Sequence, residues 1–122
     1  MVKLVEMDEV ITLAQQMKTK SNEPVTLINR FHVPAEVEEE FLERWEEDGQ
    51  FMLSQGCLSG QLHKGIEGSS SYINIAVWES AAAFVKAFSN PEFQAVLASY
   101  PENISASPHL FEKIAVPGVC VA

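Results

Sequence analysis

The sequence predicts an α+β domain of β-α-β-β-α-β order, with a four-stranded antiparallel sheet carrying both helices on one face. Two stretches of period-two alternation, 25–33 and 72–78, each lead directly into a helical pattern. A glycine- and serine-rich turn, Gly65 to Ser71, joins the second of these to another short alternating run, which predicts a hairpin in the middle of the order.

The first strand places Val25, Leu27, Asn29, Phe31 and Val33 on one face and Thr26, Ile28, Arg30 and His32 on the other. Pro34 ends it and suits the first turn of a helix over 35–55. The acidic run Glu36 to Glu40 favours the positive end of that helix, and Val37, Phe41, Trp45 and Met52 form its apolar stripe. Gly56 is a helix stop, and Cys57 to Lys64 alternates Leu58, Gly60 and Leu62 against Ser59, Gln61 and His63. Ser80 caps a second helix that breaks at Asn90-Pro91 and resumes to Ala98. A polar loop, Ser99 to His109, then precedes a last strand over Leu110 to Val116.

Residues 1–23 read as an appendage to the domain of 24–122, packed on it or on a partner subunit. Asp8 is the expected cap of a short helix bearing Ile11, Leu13, Ala14 and Met17. Both faces of the sheet carry large apolar residues while the helices cover only one, so a second copy of the same sheet is the economical cover for the other.

The chain has 122 residues, of which 47% are hydrophobic, enough for one domain and one core. Its formal charge of −9, from 17 acidic and 8 basic residues, disfavours nucleic acid or an anionic membrane surface as partner and suits a small neutral or hydrophobic molecule. No apolar run reaches the roughly 18 residues of a membrane span, and no secretory signal pattern opens the chain, so a cytoplasmic location is expected. Cys57 and Cys120 stand apart from each other and from any Cys/His cluster, which predicts free thiols and no metal site.

Asn29 is the leading site candidate, because a polar amide on an otherwise apolar strand face must find hydrogen-bond partners in protein, water or ligand. Phe31, Phe41, Trp45 and Trp78 are expected to form the wall of any cavity between sheet and helices. His109 and Tyr100, in the long polar loop, form the candidate proton-handling pair. Arg30 lies on the face opposite Asn29, where a carboxylate across a dimer is its expected partner. The glutamates of 36–47 are distributed around their helix and read as a solvated face, and phosphate loops, nucleophile elbows and metal-binding helix motifs are absent.

Several of these residues also carry a resemblance. The strand ending in Asn29-Arg30, the acidic helix, the run Asn74-Ile-Ala-Val-Trp-Glu-Ser80, the helix break at Asn90-Pro-Glu-Phe93 and the segment Ser107-Pro-His-Leu-Phe-Glu112 together resemble the antibiotic biosynthesis monooxygenase domain over residues 24 to 116. That resemblance implies a ferredoxin-like protomer whose sheet packs on a second sheet in a homodimeric α/β barrel, with a hydrophobic cavity in each protomer. It implies a cofactor-independent monooxygenase that oxidises a small aromatic or quinol-type molecule with molecular oxygen. Asn29 would hydrogen-bond the developing oxyanion, and His109 or Tyr100 would move the proton. A non-catalytic small-molecule-binding or stress-response protein of the same fold is the alternative from another class. Haem binding or degradation is a third, in which Asn29 matches the family's strand asparagine. The second helix, however, lacks the Trp and the ligating His of the haem degraders, so His63 or His109 would have to replace the latter.

Overall fold

A computed structural model describes residues 2–120; Met1, Val121 and Ala122 lie outside the described residues, and so do the outermost ends of the predicted appendage and domain. The chain forms β1 (Lys3–Leu4), α1 (Leu13–Gln16), β2 (Val25–His32), a 3₁₀ turn (Ala35–Val37), α2 (Glu38–Leu53), β3 (Cys57–Lys64), β4 (Ser71–Trp78), α3 (Ala81–Phe88), α4 (Pro91–Ser99) and β5 (Ser105–Phe111). From β2 onward this is the expected ferredoxin-like order. The sheet order is β1-β5-β2-β4-β3, antiparallel at its four-stranded centre, with β1 added in parallel along β5. The expected four-stranded sheet is therefore five-stranded, because the backbone of the N-terminal segment hydrogen-bonds to an otherwise open strand edge.

Local chemistry accounts for the boundaries. Pro34 precedes a 3₁₀ turn that feeds α2, whose first turn holds Glu38, Glu39 and Glu40 at its positive end. The Ser80 side chain accepts from the Ala83 backbone N–H, and Asn90 caps α4 at Glu92 with Pro91 in the first turn. Gly56 follows α2 at φ +108°, a backbone conformation open to glycine at little cost. A register shift between Cys57 and Ser59 makes Leu58 the extra residue of a bulge, turning its side chain out to solvent.

Two expectations near the termini are corrected. Thr12, not Asp8, caps the short helix; Asp8 instead accepts from the Val10 and Ile11 backbone N–H groups in the preceding turn. The last strand is Ser105–Phe111 rather than 110–116, so His109 lies within a strand and not in a loop.

The core lies between the sheet and α2 to α4. Leu27, Phe31, Phe41, Tyr72, Ala76, Trp78, Phe84 and Phe93 are buried there. On the opposite face Ile73 and Ile75 remain exposed, beside the half-buried Ile28 and Val77.

Candidate functional site

Strands β2 and β4 pair in a register that sets Leu27 opposite Ala76, Asn29 opposite Asn74 and Phe31 opposite Tyr72. Alternation then sends Asn29, Asn74 and Trp78 to the helix-covered face. There they line a cavity of about 260 Å³, closed by Trp45, Asp48 and Met52 of α2, Phe84 and Phe88 of α3, and Phe93 of α4. Ala76 and Gly60, small residues opposite one another on β4 and β3, leave room in the sheet floor. The exposed side chains of Glu46, Gln50 and Leu53 stand at the mouth beside Gly49.

Three polar atoms of this cavity share one property. Asn29 Oδ1, Asn74 Oδ1 and Trp78 Nε1 are buried and have no hydrogen-bond partner in the protein. Such atoms carry a desolvation cost of about 1–3 kcal/mol each unless a ligand or water completes them. Trp78 is fully buried and meets the Phe84 ring edge-on at 5.4 Å, so its indole is fixed in place. An indole N–H only donates; an asparagine amide accepts at Oδ1 and, rotated about its last bond, donates from Nδ2. The three together suit an aromatic ligand carrying both hydroxyl and carbonyl or oxyanion oxygens.

A carboxylate also faces this space. Asp48 lines the cavity from α2, and its Oδ2 accepts the Tyr100 hydroxyl at 3.1 Å. Desolvation pushes the Asp48 carboxyl up to about 6, opposed in part by the Tyr100 hydrogen bond. Burial drives the Tyr100 phenol far above the ordinary tyrosine range, as does the nearby Asp48 charge, so Tyr100 stays protonated. The Cys57 thiol, also on the cavity wall, is pushed up by burial and is no thiolate at neutral pH.

Of the expected site residues, Asn29, Phe31, Trp45 and Trp78 meet in this cavity. Phe41 does not join them: it is fully buried behind the wall, its ring 5.0 Å from Phe31, 5.2 Å from Tyr72 and 5.9 Å from Tyr100. Tyr100 and His109 are not a pair. Tyr100 lies under α2 against Asp48, whereas His109 is opposite Ile28 in the register and points to the other face of the sheet. There Gln16 Nε2 donates to His109 Nε2 at 3.1 Å. Arg30, on the same open face, donates to Ser71 Oγ at 2.9 Å within the chain.

Two residues escaped the sequence reading although each left a signal. Asn74 shares its strand parity with Tyr72, Ala76 and Trp78, as Asn29 does with its own apolar neighbours. Asp48 falls at helical spacing between Trp45 and Met52, a charge within the apolar stripe rather than outside it.

Comparison with known proteins agrees with the fold. SnoaB, a cofactor-independent oxygenase from Streptomyces nogalater, superposes with a TM-score of 0.71 at 27% identity, over 79% of this chain and 98% of its own. A candidate monooxygenase from Shewanella loihica is 39% identical, with a TM-score of 0.66, over 80% of this chain and 100% of its own. A further structure, a candidate antibiotic biosynthesis monooxygenase from Deinococcus radiodurans, shares the fold with a TM-score of 0.67 at 12% identity, covering 80% and 99% of the two chains. No curated protein is similar enough in sequence to count as a match. The family model for antibiotic biosynthesis monooxygenase matches residues 24–99, from the start of β2 to the end of α4, and the chain belongs to that family.

Proposed function

We propose that the protein is a cofactor-independent monooxygenase that oxidises a small electron-rich phenol or quinol with molecular oxygen. The observation that carries this reading is the convergence of Asn29 Oδ1, Asn74 Oδ1 and Trp78 Nε1, all without protein partners, on one aromatic-walled cavity. In such a reaction the deprotonated ring itself supplies electrons to oxygen. A carbon–oxygen bond forms at a ring C–H position, the resulting peroxide loses water, and a quinol plus oxygen becomes a hydroxyquinone plus water. The protein binds the ring in a dry pocket, orients it, and stabilises charge on its oxygens through the Trp78 indole N–H and the asparagine amides. The similarity to SnoaB supports this class of chemistry.

We also place the protein in the cytoplasm as a homodimer. Free Cys57 and Cys120 fit a reducing compartment, and no helix among the described residues is long and apolar enough to cross a membrane. The apolar open face of the sheet fits a second copy.

The test is oxygen uptake by the pure protein with a panel of hydroquinones under labelled dioxygen. One labelled atom in the product, with at least a tenfold loss of rate in Asn29→Ala, is the expected result. No turnover across the panel, or turnover indifferent to Asn29→Ala, rejects the reading. An aromatic compound that co-purifies and survives oxygen unchanged points instead to a non-catalytic binding protein.

A further inference from the structure

Asp48 is the one carboxylate that lines the cavity from within the apolar stripe of α2; the other acidic wall residue, Glu46, stands exposed at the mouth. Tyr100 is 2% exposed and donates its hydroxyl hydrogen to Asp48 Oδ2. That bond holds the carboxylate in place on the cavity wall. The buried Tyr100 hydroxyl needs an acceptor, but a neutral amide oxygen would serve, and a charge in such a place costs stability.

We propose that Asp48 is the general base of this cavity, accepting the hydroxyl proton of a phenolic ligand, with Tyr100 as the residue that positions it. The inference rests on the phenol or quinol reading given above. In the step, the ligand O–H bond breaks, its electron pair stays on the ring oxygen, and the proton bonds to the Asp48 carboxylate. The phenolate is then held by Trp78 and the asparagine amides, and it is the electron-rich species that meets oxygen.

The ionisation range of Asp48 narrows the ligand class. A carboxyl at about 6 is a far better base than an exposed aspartate, yet it still falls short of a simple phenol at about 10. Hydroxyl groups acidified by a conjugated carbonyl, as in hydroxyaryl ketones, fit best.

The surroundings isolate this group. Tyr100 and Cys57 are both pushed away from neutrality by burial, and Arg44, on α2, is paired with Glu43 and Glu47. His32, His63 and His109 all belong to the open face, opposite Ser71, Ile73 and Ile28 in the strand register. An inflection near pH 6 that is specific to a hydroxyl ligand therefore reports Asp48.

Calorimetric titration with 1-naphthol and with 1-methoxynaphthalene, between pH 5 and 8, tests this without turnover. Naphthol affinity is expected to rise several-fold through pH 6, while the ether, which has no hydrogen to give, shows no such rise. Asp48→Asn should flatten the naphthol profile and keep ether binding. Tyr100→Phe, which removes a hydrogen bond that favours the ionised carboxylate, should move the inflection to higher pH. Parallel profiles for the two ligands, or an inflection that persists in Asp48→Asn, overturn the role of Asp48 and leave the cavity reading standing. Failure of both ligands to bind the unmodified protein overturns both.

Discussion

At the scale of single residues, the site consists of polar groups that the fold alone does not need. Asn29 was legible in the sequence because alternation assigns each strand residue to a face, and an amide among Val25, Leu27, Phe31 and Val33 breaks the pattern. Asn29→Leu should keep the melting temperature within a few degrees of the unmodified protein, or raise it, because an amide whose Oδ1 has no protein partner is exchanged for an apolar side chain of similar size. Ligand affinity should fall in the same variant, and thermal scans with and without ligand separate the two effects. Asp48 gives a second prediction, in which the sign follows from its raised value. The folded protein holds the proton to about pH 6, whereas the unfolded chain releases it near the ordinary 3.8, so stability falls as pH rises between those values. Asp48→Asn should therefore be more stable than the unmodified protein at pH 8, by up to about 3 kcal/mol, an advantage that vanishes below pH 4. Urea unfolding at the two pH values and one protein concentration measures it.

At the scale of elements, α2 and the N-terminal segment show where sequence patterns stop being sufficient. Gly49 lies inside α2 at the cavity mouth, and a Cβ built there meets nothing within 4 Å. Gly49→Ala should stabilise the helix by about 0.5–1 kcal/mol, and a bulky residue such as leucine should slow ligand entry; stopped-flow binding reads the second effect. The N-terminal segment was legible only as an appendage because its role depends on a partner distant in sequence. Beyond the short β1, Gln16 completes the edge of β5: its side chain donates to the Leu110 carbonyl at 2.9 Å and accepts from the Leu110 N–H at 2.9 Å, as a neighbouring strand would. The part of β5 before Leu110 was read as polar loop, yet the strand runs through Pro108. Residues 106 and 110 present their backbone groups to the N-terminal segment rather than to β2, and Pro108, of the same parity, lacks its N–H on that side. A proline there removes no bond from the β2–β5 ladder. Gln16→Ala leaves the buried Leu110 N–H without its acceptor and should cost about 1–3 kcal/mol, seen most directly as faster hydrogen exchange at Leu110.

At the scale of the whole molecule, the two faces of the sheet have separate tasks. The covered face holds the cavity, while the open face presents Ile73 and Ile75 at 38% and 42% exposure, next to Ile28 and Val77. β-branched apolar side chains arrayed on a flat sheet make a poor water-facing surface, and a second copy related by a two-fold axis would bury them against the same residues of its partner. If that pairing forms, sedimentation at micromolar concentration gives twice the 13.5 kDa chain mass. Ile75→Glu would then set a charge against its own symmetry mate in the middle of an apolar contact, and the species observed should fall to a single chain. Because Ile75 and the cavity lie on opposite faces, a folded monomeric variant should still bind an aromatic ligand, with a weaker affinity only if the second sheet stiffens the floor beneath Asn29 and Asn74. A monomer in the unmodified protein, or a dimer undisturbed by Ile75→Glu, would show that something other than a second sheet covers this face.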